Sequence, residues 1–128
     1  MATRYRKREE WKRFFAIKGA LSKNEVIGFM IDQAKPGGPR LDFMGKPALT
    51  NTSLAVMAKM LKTPVLPAYI RRDSVHQHTL VFLPRVHLKD FGDSQTNILE
   101  HSKMFNQIAG DTILKRADQY FWFHNRWK

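Results

Sequence analysis

The run Val26-Ile27-Gly28-Phe29-Met30-Ile31 constrains the chain most. Six uninterrupted apolar residues are too few for a helix that buries one face, and they lack the alternation of a half-exposed strand. They therefore predict a strand covered on both sides. The run stops at Asp32 and Gln33, at the mouth of a loop holding Pro36, Gly37, Gly38 and Pro39, which no regular element accommodates. A carboxylate at a strand's end can orient a base or accept a hydrogen bond from a substrate hydroxyl. Turn chemistry alone also accounts for an Asp before Pro-Gly.

The rest of the chain supplies the covering layers. Before the strand, Trp11, Phe14, Phe15, Ile17 and Leu21 fall broadly on one side of a basic amphipathic helix, weakened by Gly19. After the loop, Thr50, Asn51 and Thr52 are candidate N-caps for a second helix with Leu54, Met57, Ala58 and Leu61 on one stripe. The segments 64–72 and 78–84 read as two strands turning at Asp73 and Ser74. From about Gln95 to Arg116 a third helix carries Ile98, Leu99, Phe105, Ile108, Ala109, Thr112 and Ile113, and the aromatic tail 119–128 reads as a strand with a buried face. Helix, strand, helix, strand pair, helix predicts an α/β domain in which one sheet is covered by helices. No linker or repeat divides residues 1–128, so a single domain is expected, with 1–18 as a basic N-terminal helical region.

Several chemistries are excluded by what is missing. There is no cysteine, so thiolate nucleophiles and disulfides are out, and no apolar run approaches the roughly 18 residues that span a bilayer. No nucleotide-cradling fingerprint follows Gly37-Gly38, because Pro39 comes next, and no G-x-S-x-G elbow presents any of the serines. His76 and His78 alternate in a predicted strand as a metal pair would, but no third ligand accompanies them, and no metal is expected.

The excess of 22 Lys plus Arg over 11 Asp plus Glu, a net +11, favours an anionic partner without naming it: phosphates, anionic lipid or an acidic protein. A small nucleic-acid-binding protein is one reading, using the basic N-terminal helix and the aromatic-basic tail.

The order of the blocks is more specific than any one of them. Val26 to Gln33, then Phe43, Gly45, Pro47, Ala48 and Thr50, then the proline-bearing strand Pro64 to Tyr69, then Gln119, Tyr120, Phe121, Trp122, His124, Arg126, Trp127 and Lys128 resemble the C-terminal portion of the bacterial lipid A biosynthesis acyltransferases, the lauroyl or myristoyl transferases. The resemblance runs from Gly19 to Lys128. Two departures occur near the end: Ala117-Asp118 stands where the family has proline-glutamate, and Asn125 replaces an arginine.

The resemblance implies a partial glycerolipid-acyltransferase-like α/β fold, a mixed sheet covered by helices, with no cofactor. It implies acyl transfer from acyl carrier protein to a hydroxyl of a lipid A precursor, at the cytoplasmic face of the inner membrane and peripheral to it. It also implies supporting substrate contacts at Asp32, Gln33, Gly38, Thr50, Arg71, Arg72, Arg126 and Lys128. The family's general base is the histidine of an H-x-x-x-x-(D/E) motif, oriented by the acid. None of the five histidines here has that spacing: five positions after His76, His78, His87 and His101 stand Val81, Leu83, Gly92 and Asn106, and nothing stands there after His124. The expectation is thus a truncated homologue that is inactive alone. It would associate with itself, a membrane surface or an N-terminal partner, or act as a noncatalytic lipid or carrier-protein binder.

Overall fold

The computed structural model describes residues 2–127. In chain order they form α1 (Ala2–Ser22), β1 (Arg40–Phe43), β2 (Lys46–Leu49), α2 (Ser53–Leu61), β3 (Ala68–Arg72), β4 (His78–Phe82) and α3 (Ser94–Lys115), followed by one 3-10 turn, Ala117–Gln119. The α/β class holds. Its strands assemble as two antiparallel hairpins, β1-β2 and β3-β4, in place of one mixed sheet.

The first hairpin closes through Met44 and Gly45, whose φ angles of 56° and 82° give the doubly left-handed two-residue turn that matches the twist of antiparallel strands. Glycine suits the second position because it lacks a Cβ. Leu41 and Phe43 point from β1 into the core, where Ala48 of β2, Ala55 and Ala58 of α2 and Phe105 of α3 meet them. α3 lies across both the hairpin and α2. It approaches closely because Gly110 sits beneath Met44, where an added Cβ would come within 3.1 Å of the methionine side chain.

The buried face of α3 differs from the apolar stripe in its sequence. Asn97, His101, Ser102, Phe105, Asn106 and Gly110 are buried, while Ile98, Leu99, Ile108 and Ile113 are only half-buried. The cause is what α3 packs on. The backbone at Asp42 of β1 and at Lys89 and Phe91 of the loop before α3 presents carbonyls and an amide that polar side chains of α3 satisfy.

The predicted strand at 26–31 is the main correction. α1 ends in a Schellman motif: Asn24 takes a left-handed φ of 61°, the amide of Glu25 donates to the carbonyl of Ala20 (3.1 Å), and that of Asn24 to Leu21 (3.1 Å). The chain then runs through Val26–Ile31 without regular structure and without pairing to any strand among the described residues. A strand exists only when a neighbour takes up its amides and carbonyls. Composition made the segment apolar, but no partner in the described residues makes it a strand. Val26 and Met30 are consequently exposed, at 93% and 73%.

The second hairpin pairs Tyr69 with Val81 and Arg71 with Thr79. His78 lies in β4 but His76 lies in the connecting loop, so the two do not share a strand face. No group of three metal-ligating side chains occurs among the described residues. The tail is not a strand either; after the 3-10 turn it proceeds in bends and turns, leaving Phe121 and Phe123 exposed. α1 likewise leaves Trp11 and Phe15 exposed, packed against one another and against Phe14. No helix among the described residues is long and apolar enough to cross a membrane.

Candidate functional site

The tail folds back onto the first hairpin and onto the loop after Ile31. The imidazole Nε2 of His124 accepts the amide of Ala34 (2.9 Å), and the hydroxyl of Tyr120 donates to the carbonyl of Asp32 (3.2 Å). Because Nε2 accepts, the proton of a neutral His124 ring resides on Nδ1. The amide of Leu49 donates to the carbonyl of Arg126 (3.2 Å), and the indole N–H of Trp127 donates to the carbonyl of Phe43 (3.2 Å). Three of these contacts join residues 84 to 90 positions apart: |i−j| is 90 for Ala34 and His124, 88 for Asp32 and Tyr120, and 84 for Phe43 and Trp127.

Arg126 is the centre of this arrangement and has no exposed surface. Its guanidinium carbon lies 3.9 Å from the centroid of the Phe43 ring, whose other partner is Trp127, stacked at 5.6 Å. Nη2 donates to Oδ1 of Asn106 (2.5 Å). The same amide uses Nδ2 to donate to the carbonyl of Asp42 (2.9 Å) and to Oγ1 of Thr50 (3.0 Å). The Thr50 hydroxyl in turn donates to the carbonyl of Ala48 (3.0 Å), completing a buried chain from Arg126 to β2. Nε and Nη1 of Arg126 have no hydrogen-bond partner among the described residues.

Desolvation pulls the Arg126 guanidinium below its ordinary pKa, opposed by the negative potentials of Tyr120 and Asp32. Burial pushes the Tyr120 phenol up, and the Asp32 carboxylate adds to that shift. Guanidinium still holds its proton, so the cluster contains a buried cation whose nearby charges include Asp32 without a direct ion pair.

Gly38 holds the loop against this cluster. Its amide donates to the carbonyl of Lys35 (2.9 Å), and the neighbouring Pro39 carbonyl accepts the amide of Thr50 (2.9 Å). A Cβ on Gly38 would overlap the carbonyl oxygen of Thr50. Close backbone approach, rather than a left-handed φ, is what requires glycine there.

Of the residues expected at a site, Asp32, Gly38, Thr50 and Arg126 thus gather around one buried network. Gln33 sits on the same loop but exposed, and its side chain makes no hydrogen bond among the described residues. Arg71 and Arg72 lie on the second hairpin. Arg71 is paired with Asp73 (2.6 Å), and Arg72 offers its backbone to Gln119, whose side-chain amide both accepts from its N–H (2.9 Å) and donates to its C=O (2.8 Å). Lys128 lies outside the described residues. Asn106, which links the cluster, was not anticipated. A lone Asn in a helix carries no signal until the backbone packed on it is known.

No curated protein matches the chain. Residues 5–128 match the family model for the bacterial lipid A biosynthesis acyltransferases. With the match covering nearly the whole chain, and the tail, the glycine-proline loop and the first hairpin folded into one cluster, this protein belongs to the bacterial lipid A biosynthesis acyltransferase family.

Proposed function

We propose that this chain supplies the substrate-supporting part of a lipid A acyltransferase site and does not transfer an acyl group by itself. In the reaction that membership suggests, a hydroxyl of a lipid A precursor attacks the thioester of an acylated carrier protein, and a base removes the hydroxyl proton. Asp32 would accept a hydrogen bond from the acceptor or its base. Gly38 and Thr50 would keep the loop in place, and Arg126 would hold the tail beneath it. Arg71, Arg72 and Lys128 would meet lipid phosphates or the acidic carrier protein. The chain would work at the inner-membrane surface, with a second polypeptide or a second copy against residues 25–31.

The observation that supports this reading is the network that joins Thr50 to Arg126 through Asn106, with Gly38 packed on Thr50 and the main-chain carbonyl of Asp32 tied to the tail by Tyr120. No histidine in the sequence has an acid five residues later, so the base and its orienting partner must come from elsewhere. Loss of such a pair removes the chemistry itself, beyond the roughly hundred- to ten-thousandfold usually assigned to acid-base assistance.

The test is acyl transfer by the purified chain with acylated carrier protein and a lipid A precursor, alongside binding of each. Binding without turnover is expected. Turnover abolished by Asp32→Asn would show that the chain is a complete catalyst, and absence of binding to both substrates would refute the supporting role.

A further inference from the structure

The cleft between the C-terminal end of α2, the loop 85–91 and the first half of α3 is unlike the rest of the surface. It is an open cleft of about 470 Å³ and shares no lining residue with the Asp32–Arg126 cluster. Lys59, Lys62, Arg85 and Lys89 line it, with Asp90 as the one carboxylate, and His101 forms part of its wall. Among the described residues none of the four cations is in an ion pair. Asp90 and, at the start of α3, Asp93 act on Lys59 through space without a direct ion pair; Asp90 Oδ1 is turned to its own loop, accepting from Asn97 Nδ2 (2.8 Å) and from the amide of Gly92 (3.0 Å).

Helix formation explains only part of this. Lys59 lies in the last turn of α2, where a cation complements the helix dipole. Arg85 and Lys89 stand on a loop, where no dipole rewards them. Lys89 holds its ammonium 5.7 Å from the Phe91 ring, at the margin of an adjoining hollow of about 340 Å³ that His101 also lines. His101 is 4% exposed; its Nε2 is bonded to the carbonyl of Lys89 (2.8 Å), and its Nδ1 has no partner. A carbonyl only accepts, so Nε2 carries the proton and the ring fixes the loop that bears Lys89.

Four like charges around one concavity repel each other and focus a positive potential into it. The two carboxylates that act on Lys59 leave Lys62, Arg85 and Lys89 without an ion pair, whereas a phosphate group carries up to two charges and three acceptor oxygens. The volume holds a phosphate together with part of the molecule that bears it. We infer that this cleft is a binding site for a phosphate group, free or as a monoester on a soluble molecule or lipid headgroup, with Lys59, Arg85 and Lys89 as its ligands. The inference is independent of the role proposed for the Asp32 loop.

The test uses the whole chain at low salt. Calorimetric titrations with inorganic phosphate and with glycerol 3-phosphate are compared with binding to phosphatidylcholine vesicles made with and without phosphatidic acid. Saturable phosphate binding is expected, with the His101 ring resonances moving and those of His76 and His78 unmoved. Lys59→Gln/Lys89→Gln should weaken it about tenfold or more, as loss of charge-assisted hydrogen bonds does. The equally charge-reduced Lys18→Gln/Lys23→Gln should not. Binding restricted to phosphatidic-acid vesicles, with the same sensitivity, would assign the phosphate to lipid. Equal weakening in both double variants would mean diffuse surface charge and overturn the site, as would absence of binding in every arm.

Discussion

Arg126 lies with its guanidinium 3.9 Å from the ring centroid of Phe43, and neither side chain has any exposed surface. A cation at that depth is held by the ring face and by Asn106 rather than by a carboxylate. Removing the side chain by Arg126→Ala leaves a void and an unsatisfied Asn106, and should cost about 2–4 kcal/mol. Arg126→Met keeps the apolar stem while discarding the two unpartnered nitrogens, and should cost about 1 kcal/mol. Urea unfolding of both variants measures the difference; equal losses would show that the hydrogen bond to Asn106, and not packing, dominates.

Asn106 satisfies three groups with one amide. Asn106→Leu is nearly the same size but leaves the carbonyl of Asp42 and the Nη2 of Arg126 without their partner, and should destabilise by about 2–3 kcal/mol. Ser102 is as buried but has no hydrogen-bond partner among the described residues. Ser102→Ala should be neutral within about 0.5 kcal/mol. Thermal unfolding compares the two directly, and a larger loss for Ser102→Ala would contradict the network.

Two adjacent glycines should behave differently. Gly37 has a φ of 77° and open space around it, so Gly37→Ala incurs only the left-handed penalty, about 1 kcal/mol. Gly38→Ala drives a Cβ into the Thr50 carbonyl and must displace the loop, costing about 3 kcal/mol. A Gly38→Ala protein as stable as Gly37→Ala would mean that the loop does not rest on Thr50.

Asp90 sets one part of the acid limb of stability. The Asn97 amide, then the Gly92 amide, hold its carboxyl below the ordinary value of 3.8, against an opposing effect of burial and with help from the charge of Lys59. As pH falls, the unfolded chain therefore takes up this proton before the folded chain does. The stability contributed is present above the ordinary carboxylate pKa and is lost as pH falls through the lower folded value. Asp90→Asn should flatten the decline in melting temperature on the acid side of about pH 4, and an unchanged slope would exclude the contribution.

Gln119 clips the edge of β3 through the backbone of Arg72 at 2.9 and 2.8 Å. The clip is exposed, so Gln119→Ala should lower global stability by less than about 1 kcal/mol. It should nevertheless accelerate hydrogen exchange at the Arg72 amide, because local opening no longer breaks that contact. Unaltered exchange at Arg72 would show that the second hairpin is held by other contacts.

Helices were legible where local rules suffice. α2 begins where the Thr50-Asn51-Thr52 cluster predicts, though by a different use of it: Asn51 Oδ1 accepts the amide of Ser53 (3.0 Å), while Thr50 turns to Ala48 and Asn106. α3 was bounded correctly, and its N-cap is Asp93, whose carboxylate accepts the amide of Thr96 (2.9 Å). Which face of α3 is buried was not legible, because hydrophobic periodicity ignores the carbonyls and amides of whatever packs on it.

The sequence by itself determined the helices, the α/β class and the family, because each rests on local propensity or on the order of short blocks; the hairpin that turns at Met44 and Gly45 came only with the structure. Tertiary structure alone decided that Asp32, Thr50 and Arg126 lie near one another, and that the apolar run 26–31 stays unpaired among the described residues. Burial and strand pairing belong to relations between segments, and a segment's own residues state only what it would accept as a partner.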